Sequence, residues 1–284
     1  MEPTTQRSLA ETFRDRHTME ATGPLLLPNS WDAASTIIYE EAGFEAVGTS
    51  SAGIAASLGV PDGEVLSRAD MLAVVERIAR SVDIPVSADI EAGYGDSPQE
   101  VAETVRLTIE AGAVGVNLED GTDDPAQPLI DVDEHAARIR AAREAADEAG
   151  IPLVINGRTD VFWREVGDES YRVEAAIERA NAYATAGSDC LFVPGVTDLS
   201  AISELVAGID GPVNILGGPG APPIAELDNA GVARVSIGSG PMRATLGFLR
   251  VISDELLTGG TYDRMANAIP YAELIDLLGP PKTE

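Results

Sequence analysis

Apolar residues along this chain come in short runs, each followed by a segment of a different period. The runs are PLLLP (24–28), EAVGTS (45–50), IPVSAD (84–89), VGVNLED (114–120), IPLVING (151–157), SDCLFVP (188–194), GPVNILG (211–217) and VARVSIG (232–238). Short, β-branched and in several cases opened by proline, they predict eight strands buried on both faces. Between them, SRADMLAVVERIARSV, SPQEVAETVRLTIEAG and VDEHAARIRAAREAADEAG place apolar residues three and four apart. Each stops at a glycine or just before a proline-led run, as amphipathic helices do. Ser97, Pro98 and Glu100 mark a helix start, with Ser97 as cap and Pro98 as the first helical residue. Eight strand–helix repeats without a glycine-rich dinucleotide fingerprint predict an α/β fold, a (β/α)8 barrel, rather than a doubly wound sheet. Residues 1–22 read as a leading helix and 261–284 as a C-terminal helical extension. With no linker in sight, 1–284 reads as one domain.

Composition narrows the chemistry. The formal net charge of −28 and pI near 4.2 argue against nucleic acid or an anionic membrane as partner. The acids are spread along the chain, which predicts a globally acidic surface of the kind proteins in salt-rich cytoplasm carry. A single lysine, Lys282, stands against eighteen arginines, so no lysine is placed inside the fold for a Schiff base. Cys190 is alone and lies in an apolar run, which predicts a buried, inert thiol. No stretch is long and apolar enough for a membrane span and no signal-peptide pattern opens the chain, so a cytoplasmic protein is expected.

Candidate chemistry gathers where the runs end, since barrels of this type carry their catalytic groups at the C-terminal ends of the strands. The second run ends in Thr49, Ser50, Ser51 and Ala52, small residues that let backbone approach a ligand, and Asp62 follows on the next loop. The third ends in Asp89 and Glu91, the fourth in Glu119 and Asp120, the fifth in Arg158 and Asp160. Carboxylates crowded into one mouth repel each other unless a cation lies among them. A hard divalent ion that keeps some of its waters, Mg²⁺ or Mn²⁺ in its place, suits such a set. Arg158 is suited to clamp a substrate carboxylate with its planar fork. Asp160 reads as a supporting or helix-capping acid. Asp120, Asp123 and Asp124 read as solvated surface, and His17 and His135 as structural or solvated.

Five stretches carry a resemblance: GFEAVGTSSAGIAASLGVPDGE, IPVSADIEAGYG, GAVGVNLEDG, INGRTDVF and AYATAGSDCLFVPG. In that order they resemble the isocitrate lyase/phosphoenolpyruvate mutase superfamily. The resemblance implies Mg²⁺ bound through waters by Asp89, Glu91 and Glu119, and a small carboxylate substrate held by Arg158 and the backbone of Ser50, Ser51 and Ala52. It also implies that Asp62 rides on a gating loop, and that the chain forms a homo-oligomer, a tetramer or dimer, exchanging its last helix.

The departures bear on the reaction. The lyases of this family carry a Lys-Lys/Arg-Cys-Gly-His stretch after the LED motif, where this chain reads GTDDPAQPLIDVDE, and a glutamate where it has Pro194. The phosphonate-forming mutases carry a loop asparagine and a later histidine that are not apparent here. What remains is a metal–arginine core without the specialised acid. It is expected to cleave a C–C bond of a small 2-oxo or 2-hydroxy di- or tricarboxylate through a pyruvate enolate, in the manner of an oxaloacetate decarboxylase or hydrolase, or of a 2-methylisocitrate lyase. The alternatives are P–C bond chemistry on phosphoenolpyruvate or phosphonopyruvate, and a non-catalytic 2-oxo-acid binding protein.

Overall fold

Pro28 divides the first apolar run, because proline has no N–H to give to a ladder. In the computed structural model, which describes residues 3–17 and 23–279, the run becomes β1 (Leu25–Leu27) and β2 (Asn29–Ser30). The other strands are β3 (Val47–Thr49), β4 (Val86–Asp89), β5 (Gly115–Glu119), β6 (Val154–Arg158), β7 (Cys190–Val193), β8 (Val213–Leu216) and β9 (Arg234–Ser236). All pair in parallel in the order β1-β9-β8-β7-β6-β5-β4-β3-β2. The Pro28 carbonyl accepts from Gly48 N–H at 2.8 Å, so the two halves of one run stand at the two edges and bring the barrel almost to closure. The eight expected strand positions are therefore present, the first in two pieces.

Eleven α-helices accompany the strands among the described residues: α1 (Pro3–Asp15), α2 (Ala33–Glu41), α3 (Ser51–Ser57), α4 (Arg68–Ser81), α5 (Pro98–Glu110), α6 (Val132–Glu148), α7 (Arg172–Ala186), α8 (Leu199–Gly208), α9 (Ile224–Asn229), α10 (Gly240–Thr258) and α11 (Tyr271–Leu278). The start expected at Ser97 is present as a capping box, with Ser97 Oγ accepting from Glu100 N–H and the Glu100 side chain accepting from Ser97 N–H. α3 is an element the apolar pattern did not announce. Seven residues of SAGIAAS carry too little periodicity, and Ser50 turns out to cap this helix rather than extend the strand. The leading helix stops at Asp15, with residues 18–22 outside the described part. The C-terminal extension contains α11, and residues 280–284, Lys282 included, also lie outside it.

Alternation along the strands sorts the barrel wall. Val116, Leu118, Ile155, Leu191, Ile215 and Val235 are buried in the apolar core. Their neighbours Ser87, Asp89, Asn117, Asn156, Asn214 and Ser236 line the barrel's cavity. The floor is closed by α1. A Cβ at Gly115 would lie 2.7 Å from Phe13 Cε1, so only glycine admits the ring there. His17 packs edge-on against Phe13 at 4.8 Å between ring centroids, just beyond the end of α1. Cys190 is fully buried and burial pushes its thiol up to about 12, leaving it inert at neutral pH.

Both histidines are buried, so solvation is excluded as a role for either. Burial lowers His17 to about 4 and His135 to about 3, and both stay neutral inside the fold. A depressed histidine favours the folded chain above its unfolded value near 6.5, and that advantage is lost as pH falls toward the folded value. Replacing His135 with asparagine should flatten this limb. Between pH 6.5 and 5.5 the wild type should lose about 1 kcal/mol more urea-unfolding stability than His135→Asn. Equal losses would mean that His135 titrates alike in both states.

Candidate active site

The C-terminal ends of the strands open into a cavity of about 730 Å³. Its lining includes Ser50, Ser51, Ala52, Asp62, Asp89 and Arg158 from the expected set. Glu91 and Glu119 stand behind this lining.

Arg158, at the end of β6, is gripped from two sides. Nη1 meets Glu119 Oε2 at 2.5 Å, while Nε and Nη2 meet the two Asp160 oxygens at 2.6 and 3.0 Å. Its guanidinium also lies 5.6 Å from the Phe192 ring centroid. The fork expected to await a substrate is thus held by two acids of the chain. Burial drives the Glu119 carboxyl up, against the pull of Arg158, while Asp160, Asp89 and Glu91 add to the rise.

Asp160 depends in turn on Asp120, and here the expectation of a solvated surface acid is overturned. Asp120 is fully buried. Its carboxylate accepts from the Asp160 N–H at 2.8 Å, the Tyr183 hydroxyl at 2.6 Å and Arg179 Nη1 at 3.0 Å. The antiparallel bridge Gly121–Leu129 folds the following loop back over it, with Ile130 N–H donating to the Asp120 carbonyl. Asp123 does remain exposed. His135 packs on the same Tyr183 ring at 4.7 Å.

The other acids are committed as well. Asp89 accepts from Ser51 N–H at 3.0 Å and from Asn117 Nδ2 at 2.8 Å, and Asn117 accepts in turn from Asn156 Nδ2 at 3.0 Å. Ser50 N–H donates to Ser30, so two of the backbone donors expected to meet substrate already have partners. Asp62 is raised by burial and by Asp89, while its bond to the Ser51 side chain opposes the shift. Glu91 sits in the left-handed region at φ +52°. Its carboxylate accepts from Gly63 N–H at 3.0 Å, Glu64 N–H at 2.6 Å and the Tyr94 hydroxyl at 2.7 Å. Glu91 thereby latches the loop that carries Asp62. Burial pushes Glu91 up to about 7, opposed by the Tyr94 bond and reinforced by Asp89 and Asp62.

Among the described residues no three His, Cys, Asp or Glu side chains converge as direct ligands of one ion. The acids nevertheless sit close enough that Asp89 adds to the rise of both Glu91 and Glu119. Such a set suits a hard cation reached partly through water, with Asp89 the one of the three expected metal acids that lines the cavity.

Sequence reasoning missed Asn117, Asn156, Asn214, Phe192, Trp163 and Arg234, all of which line the cavity. The signal was present at period two. Ser87, Asn117 and Asn156 each stand two residues before a strand-end charge, in runs otherwise apolar.

The chain matches the family model described as phosphoenolpyruvate phosphomutase over residues 13–257. It is 32% identical to 2-methylisocitrate lyase of Escherichia coli K12 over 246 residues, covering 84% of this chain and 79% of the lyase. It superposes with a TM-score of 0.85 on oxaloacetate acetylhydrolase in complex with the product oxalate, at 25% identity and covering 96% of this chain and 94% of that one. A phosphonopyruvate hydrolase in complex with oxalate and Mg²⁺ gives 0.82, at 25% identity, covering 95% and 94%.

Asp120→Ala leaves Tyr183, Arg179 and the Asp160 N–H facing an apolar gap. It should cost about 3–5 kcal/mol in urea unfolding, as loss of one partner from a buried ionic network does. Asp123→Ala should change stability by less than about 0.5 kcal/mol. Similar values for both would show that Tyr183, Arg179 and the Asp160 N–H do not depend on the Asp120 carboxylate.

Proposed function

The chain belongs to the phosphoenolpyruvate phosphomutase family of the isocitrate lyase/phosphoenolpyruvate mutase superfamily, and we propose that it cleaves a C–C bond of a small 2-oxo or 2-hydroxy di- or tricarboxylate. The observation that carries this reading is the meeting of Arg158 and Asp89 in one cavity, backed by Glu119 and Glu91. Mg²⁺, or Mn²⁺ in its place, would be held by Asp89, Glu91 and Glu119 and would supply charge stabilisation at the substrate's 2-oxo oxygen.

The chain's own groups do the remainder. Asp160 holds two guanidinium nitrogens of Arg158 in place, so the bond that can be exchanged for a substrate carboxylate is the one from Nη1 to Glu119. Asp62, on its latched loop, closes one side of the cavity and limits water. For a 2-oxo substrate with a carboxylate on C3, the electrons of the broken C–C bond pass into the 2-oxo group as CO2 departs, and water protonates the resulting enolate. For a 2-hydroxy substrate the hydroxyl loses its proton to become the oxo group, and the electron pair leaves with the other fragment, whose carboxylate-stabilised carbanion water protonates. Neutralisation by Arg158 favours that developing charge.

A second reading draws on the start of α10. Gly238, Gly240 and Arg243 line the cavity where barrels of this kind seat phosphate, which favours P–C chemistry on phosphonopyruvate or phosphoenolpyruvate. Phosphorus NMR on those substrates separates the two. Tight oxalate binding without turnover on any substrate would instead mark a non-catalytic 2-oxo-acid binding protein.

The purified protein should release pyruvate from one or more such acids in Mg²⁺ and lose that activity in EDTA. Arg158→Lys, which keeps the charge and loses the fork, should lower kcat/KM by about a hundredfold or more. Turnover unaffected by EDTA or by Arg158→Lys would sink the proposal.

Assembly belongs to the same reading. α10 is nineteen residues long, yet Met242 is its one buried residue, while Leu246, Phe248, Leu249 and Leu257 are exposed. Such a face calls for a copy of the chain to cover it, giving the dimer or tetramer proposed here. Light scattering should find an oligomer that Leu249→Asp dissociates. A wild type that is monomeric at micromolar concentration would contradict it.

A further inference from the structure

The deepest cation of the cavity has no assigned task. Arg234, at the start of β9, points into the barrel with Ser236 and is only 3% exposed. Among the described residues its Nε and Nη1 have no hydrogen-bond partner, and no carboxylate forms an ion pair with it. Its guanidinium lies 5.9 Å from the Phe13 ring centroid, over the apolar plug of the floor. Burial lowers it to about 10, opposed by Cys190 and then by Asp89, so it stays charged at neutral pH. Arg158 by contrast has all three of its nitrogens engaged by Glu119 and Asp160.

A buried guanidinium without a partner is among the costlier groups a fold can carry, and it is retained where something anionic completes it. The surroundings point the same way. Ser87 Oγ and Asn156 Oδ1 line the same cavity and also lack hydrogen-bond partners among the described residues. The first can donate to an anion, while the second needs a donor such as a hydroxyl or a water. These three groups thus share the cavity that holds the proposed reaction centre.

We propose that Arg234 is a second anion anchor, which receives the distal carboxylate of the substrate while Arg158 and Asp89 hold the reacting end. This rests on the C–C cleavage reading given above and narrows it to substrates with two separated carboxylates. It makes Arg234 a specificity-determining residue, because a one-ended ligand leaves the lower guanidinium bare and gains nothing from it.

Calorimetric titration in Mg²⁺ tests this with two probes. Oxalate spans only the reacting end, and 3,3-difluorooxaloacetate carries a second carboxylate beyond it. Arg234→Met should weaken the difluoro compound by about tenfold to a hundredfold, as losing a charged hydrogen-bonded anchor does, and leave oxalate nearly unchanged. The variant should melt no lower than wild type, since an unpaired buried charge has been removed. If Arg234→Met fails to fold, Arg234→Lys is titrated in its place and should show the same selective, smaller loss. Equal effects on both probes, or none, would overturn the anchor while leaving the reaction reading intact. A wild type that binds neither probe would instead bring down the reaction reading, and the anchor with it.

Discussion

One guanidinium sets the arrangement of the whole mouth. Arg158 ends β6 among acids contributed by three different strand ends, and the chain meets that crowding with a relay rather than a single pair. Asp120 orients Asp160 through its backbone N–H, Asp160 fixes two nitrogens of Arg158, and Glu119 takes the third. Asp120 is itself held by Tyr183 and Arg179 of α7, so a helix on the outside of the barrel tunes an arginine on the inside. A buried ion pair contributes little net stability once desolvation is subtracted, so this network is better understood as fixing geometry than as strengthening the fold. Geometry is what recognition of a planar carboxylate requires.

The barrel itself was legible in the sequence because its cause is local. Eight apolar runs and the amphipathic segments between them gave the architecture, and Ser97 with Glu100 gave a helix start to the residue. Two features escaped. α3 is too short for a helical period to emerge from SAGIAAS, and PLLLP reads as one strand where Pro28 separates two. Both depend on neighbours far along the chain. β2 exists because Gly48 and Thr49 stand beside it, and no pattern within PLLLPNS announces that.

The site was legible in part, and the division follows the same logic. Acids at strand ends are conspicuous because they break an apolar run, and Asp89, Asp62 and Arg158 do reach one cavity. Partners are not conspicuous. Asp120 looks like the first residue of an acidic loop, and nothing in EDGTDD separates it from Asp123 or Asp124. Only the folded-back bridge from Gly121 to Leu129 puts one of them inside and leaves Asp123 in solvent. Glu91 is a similar case. Its position suggests a metal acid, and its carboxylate is also the latch for the loop of Asp62, so a change at this residue would move the ion site and the loop together.

The polar interior of the barrel ties these strands of argument together. A barrel built only for stability would fill its inner layers with branched apolar side chains. This one presents Ser87, Asn117, Asn156, Asn214 and Ser236 toward its cavity, with Arg234 below them. Asn117 links Asp89 to Asn156, and Asn214 pairs with Ser236, so much of that polar layer is satisfied internally and remains well packed. The atoms left over are those of Arg234, Ser87 and Asn156, and they belong to one space. Polar groups cost stability when buried without partners, and a fold that carries several of them facing a single cavity is shaped by what enters it.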